Sequence, residues 1–328
     1  IWLGPGIAPH LDTEALPAHL HVRKFNFGPV GFHNLRNIQR ALAQAESEDR
    51  PDVVVTSTGP SYFHSRAPQI QGFNLPLYLY PESPYLDRLN LYRQIRFYAR
   101  KRIQLHYLHR DADAFLVQTD DAGERVRELM QTNAVFTATN TYNHHFSDPM
   151  SFPDKLPPRQ PGRFRLLTVS SWYPHKDLEL IPKVQAELHR RGIQNVDFVL
   201  TLTEDGFRQM VEHSGVTPSM NEFDELDPAS RMGSDIPGIF NVGPVPIAEC
   251  PSLYAECDAM FLPTLAECFS ASYPEAMVMG KPILTTDLGF ARGICGDAAL
   301  YFGAGNVMHA ADHIQFLLSH PAERERLV

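Results

Sequence analysis

Residues 258–282 read DAMFLPTLAECFSASYPEAMVMGKP, and this stretch holds the clearest structural signal in the chain. Its first part predicts a buried strand that ends at Pro263, and a short polar turn then leads to a helix that begins near Ser272. The sequence GKP at 280–282 ends that helix and introduces a further strand. A strand, a turn, a helix and a strand in this order are typical of a parallel sheet that helices cover on both faces.

The same alternation of buried apolar runs and amphipathic stretches extends over the whole chain. The strands predicted from it are 53–56, 75–79, 114–118, 134–137, 164–169, 197–202, 239–242, 259–262 and 282–286. The helices predicted from it are 35–45, 86–108, 121–130, 177–191, 248–256 and 273–279. A long polar loop is predicted over 215–237.

A proline-rich stretch divides the chain into two halves. Residues 152–161 read FPDKLPPRQP, and the prolines at 157, 158 and 161 exclude a continuous helix or a central strand. We therefore expect two Rossmann-like, doubly wound α/β domains, 1–157 and 158–328, that face each other across a cleft. In such sheets ligands bind beyond the carboxyl ends of the strands.

The composition excludes several classes of protein. The 328 residues carry a net charge of −9, whereas a nucleic-acid-binding protein needs a basic face. Cys250, Cys257, Cys268 and Cys295 form no CxxC pair, so neither a zinc site nor a disulfide framework is predicted, and a cytoplasmic location is expected. No apolar run approaches the roughly 20 residues that span a bilayer, so at most peripheral membrane contact is expected.

Two glutamates frame the turn in the opening stretch. Glu267 follows the buried strand, and Glu275 lies in the first turn of the helix. Carboxylates can accept hydrogen bonds from sugar hydroxyls, and free backbone N–H groups before a helix favour a phosphate, so the turn suits a nucleotide sugar. Two structural alternatives remain open. Ser272 and Glu275 match a capping box, and Glu267 alone fits an ordinary loop residue.

The stretch resembles the C-terminal signature of retaining glycosyltransferases of family 4, which have the two-domain GT-B fold. The residues in register with that signature are Pro263, Thr264, Glu267, Phe269, Glu275, Ala276, Met277, Gly280 and Pro282. Segments 242–245, 252–258 and 296–302 continue the similarity, which covers about 140 residues from Phe164 to Gly305. By this resemblance the N-terminal domain faces the acceptor and the C-terminal domain binds the nucleotide sugar.

The resemblance also implies roles for individual residues. Glu275 would bind the ribose hydroxyls, Glu267 would contact the transferred sugar, and the N–H groups of Phe269, Ser270 and Ala271 would hold the sugar and the diphosphate. Ser171 and Gly243 are grouped with these donor-binding residues. Cys268 and Ser270 replace the usual glycines, which makes the turn bulkier and bears on the size of the donor.

Lys176 lies at the end of the first C-terminal strand, just before an amphipathic helix. A cation there would stabilise the negative charge that develops on the leaving phosphate, although a surface lysine is the simpler alternative. The family pattern at this turn has a glycine and an arginine where Ser170 and Ser171 stand. Possible replacements for that second cation are three arginines, namely Arg165, Arg231 and Arg292.

The N-terminal half carries weaker signals. Gly4–Gly6 could be a glycine-rich turn, and residues 59–61 and 82–84 follow predicted strands, where acceptor contacts are expected. We interpret His106 and His109 as helix surface or packing residues, and His144 and His145 as residues at the edge of the cleft. No metal site is predicted from their spacing.

Taken together, these features predict a retaining hexosyltransferase that uses a UDP- or GDP-linked sugar and no cofactor. The acceptor would be a carbohydrate or a glycolipid, as in polysaccharide biosynthesis. The alternatives are a nucleotide-sugar epimerase, a phosphorylase on the same scaffold, or an inactive nucleotide-sugar-binding subunit.

Overall fold

The computed structural model describes residues 1–4, 6–8, 12–13, 16–28, 30–31, 33–150, 152–216 and 236–328. The predicted turn at Gly4–Gly6 and the predicted loop at 215–237 therefore lie partly outside the described residues. Two compact units are formed, one by residues 1–74, 98–116 and 133–135, the other by 75–97, 117–132 and 136–328. Two internal segments of the N-terminal half thus group with the C-terminal half, and the domain boundary after residue 157 stays a prediction.

The N-terminal half contains short parallel strands and helices of very different length. Its strands are β1 (Trp2–Leu3), β2 (Arg23–Lys24), β3 (Val54–Thr56), β4 (Gln69–Gly72), β5 (Ala114–Val117) and β6 (Val135–Thr137). Its helices are α1 (Leu35–Asp49), α2 (Pro76–Leu79), α3 (Pro84–Asp87), α4 (Leu91–Asp111) and α5 (Asp120–Met130). β1 pairs with β2, and a four-stranded sheet has the order β3-β4-β5-β6.

The strand predicted over 75–79 was wrong. These residues form the helical turn α2, because Pro76 stands at its first position, where a fixed φ and a missing N–H favour a helix start. The neighbouring strand is β4, which pairs in parallel with β3 and β5. Its buried side chains include Gln71, whose Oε1 accepts a hydrogen bond from the Ser61 N–H at 3.0 Å. A strand that buries amides lacks the apolar run by which strands are recognised in a sequence.

The C-terminal half is a regular alternation of strands and helices. Its strands are β7 (Phe164–Thr168), β8 (Val196–Leu200), β9 (Ile239–Asn241), β10 (Ala259–Leu262), β11 (Ile283–Thr286) and β12 (Ala299–Phe302). Its helices are α6 (Leu180–Arg190), α7 (Glu204–Ser214), α8 (Cys250–Ala255), α9 (Ser272–Val278), α10 (Gly289–Cys295), α11 (Val307–Ser319) and α12 (Pro321–Arg326). One-turn 3₁₀ helices occur at His144–Phe146, Pro174–Lys176 and Ile247–Glu249.

The six C-terminal strands form one sheet in the order β9-β8-β7-β10-β11-β12, and every pairing is parallel. Counted within this sheet, the order is 3-2-1-4-5-6, the doubly wound Rossmann arrangement. The direction of winding reverses between β7 and β10, which pair through Leu166 and Ala259. This confirms the predicted α/β fold with parallel sheets, and it places the crevice for a ligand where the loops after β7 and β10 leave the sheet.

An apolar core holds these two central strands in place. The ring of Phe261 on β10 meets Phe198 on β8 edge-on, at a centroid distance of 5.4 Å, and stacks on Phe302 of β12 at 5.2 Å. α6 and α11 cover this layer with side chains such as Val184 and Ile314. The four cysteines are buried and unbridged. Within the described ranges, no helix combines the length and the apolarity that crossing a membrane requires.

Candidate functional site

The loops that follow β7 and β10 meet at the switch point of the C-terminal sheet. After β7 the chain makes the 3₁₀ turn Pro174–Lys176, and after β10 a loop runs from Pro263 to Ala271 before α9 begins. The N–H of Leu265 donates a hydrogen bond to the carbonyl of His175 at 2.7 Å. This bond joins the two loops directly, so that residues about 90 positions apart in the chain become neighbours.

Lys176 and Glu267 form an ion pair between these two loops. The Lys176 ammonium donates a hydrogen bond to Glu267 Oε1, and the Thr264 hydroxyl donates to the same oxygen at 3.0 Å. The two side chains are 16% and 10% exposed. Low exposure weakens screening by water, so the pair fixes both groups beside the crevice more firmly than a surface pair would. The interpretations of Lys176 as a surface lysine and of Glu267 as an ordinary loop residue were therefore wrong.

Glu275 is a buried carboxylate held by a tyrosine. It is 4% exposed, and its Oε2 accepts a hydrogen bond from the hydroxyl of Tyr254 at 3.2 Å. Burial raises the pKa of Glu275, and the bond from Tyr254 opposes that rise. The Tyr254 ring is fully buried and meets Phe146 edge-on at 5.6 Å. The sequence placed Tyr254 in the similar segment 252–258 but did not predict its contact with Glu275, because that contact joins residues 21 positions apart on different helices.

The capping-box interpretation of Ser272 and Glu275 was also wrong. Ala271 is the N-cap residue of α9, and no side chain caps this end. The Ser272 hydroxyl instead donates to the carbonyl of Val169 at 3.3 Å, which ties α9 to the loop after β7. Glu275 is thus a buried side chain directed to Tyr254, and its carboxylate does not serve the helix end.

The loop before α9 presents unused hydrogen-bond donors. Among the described residues, the backbone N–H groups of Phe269, Ser270 and Ala271 donate to no acceptor. Ser270 is buried, whereas Phe269 is partly exposed and Ala271 is exposed. Consecutive free N–H groups close to Lys176 and Glu267 form an arrangement that can accept an anion, because both the donors and the cation favour negative charge.

Comparison with known proteins finds a family match for the part of the chain that holds this arrangement. Residues 163–320 match the protein family described as Glycosyl transferases group 1. A search of curated protein sequences found no significant match.

Solved structures are similar to this chain over most of its length. A sucrose-phosphate synthase from Thermosynechococcus elongatus is 13% identical with a TM-score of 0.67, over 93% of this chain and 76% of that one. Anabaena Alr3699/HepE in complex with UDP and glucose is 15% identical with a TM-score of 0.67, over 99% and 84%. An α,α-trehalose-phosphate synthase (UDP-forming) from Burkholderia xenovorans in complex with glucose-6-phosphate is 12% identical with a TM-score of 0.63, over 90% and 73%. These likenesses show that the chain has the GT-B fold.

Ser171 and Gly243 follow two different strands of the C-terminal sheet. Ser171 follows β7, where its carbonyl accepts a hydrogen bond from the Ser170 hydroxyl at 2.9 Å. Gly243 follows β9, the outermost strand on that side, and has a φ of +78° with open space around its Cα. Their assignment to the donor site therefore remains a prediction.

Neither of the described arginine candidates lies beside Lys176. Arg165 stands near the start of β7, at the opposite edge of the sheet, and donates to the carbonyl of Pro157 at 2.6 Å. Arg292 forms two hydrogen bonds to Asp287, and its guanidinium lies 4.3 Å from the ring centre of Tyr301. The third candidate, Arg231, lies outside the described residues. The expectation that Arg165 or Arg292 supplies the second cation is therefore wrong, because Arg165 lies at the other edge of the sheet and Arg292 is paired with Asp287.

A different arginine approaches the turn of Lys176. Arg88, which follows α3, binds the carboxylate of Asp177 through both terminal nitrogens, one of them at 3.0 Å. Asp177 is buried and has a left-handed φ of 51°, so this bond holds the turn directly after Lys176. The charge of Arg88 is balanced by Asp177, and Arg88 therefore acts as a support of the turn. It does not supply a second free cation.

The segment predicted to hold acceptor contacts also reaches this loop. The Ser83 hydroxyl donates to the carbonyl of Leu265 at 2.7 Å, and the carboxylate of Glu82 pairs with Arg125 at 2.8 Å. His175 lies between Tyr85 and Tyr173, at ring-centroid distances of 6.2 and 5.7 Å. Burial lowers the pKa of His175, which favours its neutral imidazole.

Two other predictions concern histidines and metal ions. The rings of His144 and His145 lie 4.0 Å apart between centroids, with their planes tilted by 37°, in a one-turn helix. No cluster of three or more metal-ligating side chains occurs among the residues that the structure describes.

Proposed function

We propose that this chain transfers a hexose from a nucleoside-diphosphate sugar to a carbohydrate or glycolipid acceptor, with retention of anomeric configuration. The observation that carries the proposal is the ion pair of Lys176 and Glu267 at the switch point of the C-terminal sheet, within the residues that match the group 1 family. The motif resemblance to family 4 supports the retaining outcome. Two of the similar solved structures, the Anabaena protein in complex with UDP and the UDP-forming trehalose-phosphate synthase, make a uridine nucleotide the first donor to test.

In this proposal the donor replaces the contact between Lys176 and Glu267 with contacts of its own to both side chains. The diphosphate lies against Lys176 and the N–H groups of Phe269–Ala271, and the hexose hydroxyls take up Glu267. Glu275, oriented by Tyr254, accepts hydrogen bonds from the ribose hydroxyls. The two partners of the ion pair thus each contact one part of the same ligand.

The chemistry follows from these positions. The acceptor hydroxyl attacks the anomeric carbon on the face that the diphosphate leaves, the carbon–oxygen bond to the phosphate breaks, and the phosphate oxygen takes the hydroxyl proton. Lys176 and the loop N–H groups stabilise the charge that the diphosphate gains. This scheme assigns no step to a divalent metal ion.

The direct test is incubation of the protein with UDP- and GDP-hexoses, with and without a mixture of carbohydrate and glycolipid acceptors. We expect release of the nucleoside diphosphate together with a glycosylated acceptor, and NMR of the product should show the anomeric configuration of the donor. An epimerase would form free nucleotide or a new epimer without any acceptor, and a phosphorylase would require inorganic phosphate. Either result, or an inverted product, would overturn the corresponding part of the proposal.

One observation favours the inactive binding subunit as a second candidate function. Arg88 and Arg292 are paired with aspartates, and Arg165 lies at the opposite edge of the sheet, so none of these three described arginines supplies a second free cation beside Lys176. A site with a single cation would bind a nucleotide sugar and yet stabilise the leaving diphosphate poorly. Tight nucleotide binding without turnover on any donor and acceptor combination would select this alternative.

The Tyr254 hydroxyl provides a pH-dependent test of the nucleotide site. Its bond lowers the pKa of Glu275 against the effect of burial, so Tyr254→Phe should raise that pKa further. Because the ionised carboxylate binds the ribose, lowering the pH weakens nucleotide binding once Glu275 becomes protonated. In the Tyr254→Phe variant this loss should begin at a higher pH than in the unaltered protein. Calorimetric Kd values over about pH 5–8 measure this. The control is Tyr273→Phe, since that buried hydroxyl contacts Thr285 at 2.9 Å, and identical pH profiles would contradict the role of Tyr254.

A further inference from the structure

Helix α4 (Leu91–Asp111) differs from the rest of the chain in its charge. Residues 91–110 contain five arginines and one lysine, namely Arg93, Arg96, Arg100, Lys101, Arg102 and Arg110, and neither aspartate nor glutamate. The whole chain carries a net charge of −9. A purely cationic segment on an acidic protein concentrates positive potential in one place, which attracts an anionic partner.

The same helix exposes large apolar side chains. Leu91 is 72% exposed, Tyr92 66% and Ile95 60%, and both Tyr98 and Ile103 are also exposed. With 100° between successive residues, these positions fall on one side of the helix. We call this set of five side chains the α4 apolar strip.

The opposite side of α4 belongs to the folded protein. Leu108 is fully buried, and the ring of Phe97 meets Tyr78 edge-on at 5.5 Å. The helix therefore has one apolar face that packs inward and a second one, the α4 apolar strip, that is exposed. A contiguous exposed apolar surface on a protein is typical of an interaction site.

Basic side chains flank the α4 apolar strip. Arg96 stands next to it on the helix surface, with its guanidinium 5.6 Å from the ring centre of Tyr92. By the same helical spacing Arg93 and Arg100 follow on that flank, and the exposed Arg102 lies among the apolar positions. An apolar strip beside arginines, with a tyrosine at its edge, is the composition of helices that lie in a lipid–water interface. Arginine matches phosphate geometry, and lipid phosphates form a continuous anionic surface.

We propose that α4 is a membrane-contact helix that docks this protein on surfaces rich in anionic phospholipid. The α4 apolar strip enters the boundary between headgroups and acyl chains, and the arginines bind the phosphates. The positive charge of α4 favours an anionic phospholipid surface over a neutral apolar partner. The inference rests on α4 alone and does not depend on the donor site.

The test is flotation of the whole protein with vesicles of phosphatidylcholine alone or with about 30% phosphatidylglycerol. We expect binding to the anionic vesicles at about 0.1 M salt, at least about tenfold weaker binding to the neutral ones, and a marked loss at about 0.5 M salt. Absence of binding to anionic vesicles, or equal binding to both kinds, would overturn the proposal.

Two variants separate the contributions of charge and apolar surface. Arg96→Glu with Arg100→Glu should weaken vesicle binding by about tenfold or more, whereas the matched pair Arg36→Glu with Arg40→Glu on α1 should change it much less. All four arginines are exposed, and each pair has the same spacing and charge change. The double variant Leu91→Ser, Ile95→Ser should lose the residual vesicle binding that the unaltered protein keeps at high salt. Its melting temperature should be unchanged, because both side chains are exposed.

Self-association is the competing outcome. If the Leu91 and Ile95 variant converts a dimer to a monomer in analytical ultracentrifugation, and the unaltered protein does not float with anionic vesicles, the α4 apolar strip is a contact between copies of this chain. A variant of Lys176 should leave vesicle binding unchanged, so failure of the membrane proposal and failure of the proposed transferase activity are distinguishable.

Discussion

Replacing Lys176 with alanine is expected to slow hexose transfer by about 10²–10³-fold, since the variant loses the one cation that faces the leaving diphosphate in the proposed mechanism. The nucleotide Kd should change much less than kcat, because the charge on the diphosphate grows as the carbon–oxygen bond breaks. Steady-state kinetics with a saturating donor, together with calorimetry, measures the two effects separately.

The control for this experiment is Lys183→Ala, which removes the same charge from helix α6. Lys183 is partly exposed, and its loss should leave kcat within about twofold. The Lys176 variant leaves Glu267 without its partner, which destabilises a poorly solvated carboxylate. The double variant Lys176→Met, Glu267→Met should regain much of the melting temperature that Lys176→Met alone loses. It should regain none of the transfer rate. A single Lys176 variant with near-normal kcat would refute the assigned role.

Replacing Glu275 with glutamine is expected to weaken nucleotide binding by about 10²-fold, since each hydrogen bond to a charged group contributes about 1.5–3 kcal/mol. Glutamine has the size of glutamate and keeps an oxygen for the Tyr254 hydroxyl, so the fold should be retained. Calorimetric titration with the nucleoside diphosphate measures the change.

The matched control for that variant is Glu249→Gln. Glu249 lies at the start of α8 and pairs with Lys155, so its change alters charge without touching the loop before α9. We expect it to bind nucleotide like the unaltered protein. Equal affinities in the Glu275 and Glu249 variants would show that the ribose binds elsewhere.

The sequence predicted five of the six strands of the C-terminal sheet, all but β12, because those five are continuous apolar runs. β10 has the predicted bounds, and α9 begins at Ser272 as expected. β7 and β8 lie within one or two residues of their predicted bounds. Strand order could not be predicted, since pairing of β7 with β10 depends on contacts across more than 90 residues.

Polar contacts were the part of the site that the sequence could not predict. The motifs identified Lys176, Glu267 and Glu275 as separate residues, and only the folded chain joins the first two in an ion pair. Tyr254 was part of a motif, and its bond to Glu275 depends on how α8 packs against α9. Ser272 matched a capping box in the sequence, but in the structure its hydroxyl donates a hydrogen bond to the carbonyl of Val169.

In the N-terminal half, the sequence also failed to predict parts of the secondary structure. β4 was missed because its buried side chains are amides, and 75–79 was predicted as a strand because its apolar residues outweighed Pro76. The segment 82–84 was predicted to be near the site, and Ser83 does bind Leu265 on the loop after β10. Its role toward an acceptor stays a prediction, which an alanine variant of Glu82 can test through the acceptor KM.

Calorimetric titration of the protein with UDP, GDP and ADP tests the central claim, a nucleotide-sugar site at the switch point between β7 and β10, most directly. We expect one of these nucleotides to bind with one site per chain, and the Glu275→Gln variant to lose most of that affinity. If none of the three binds, or if binding survives the Glu275 substitution unchanged, the assignment of this site is contradicted.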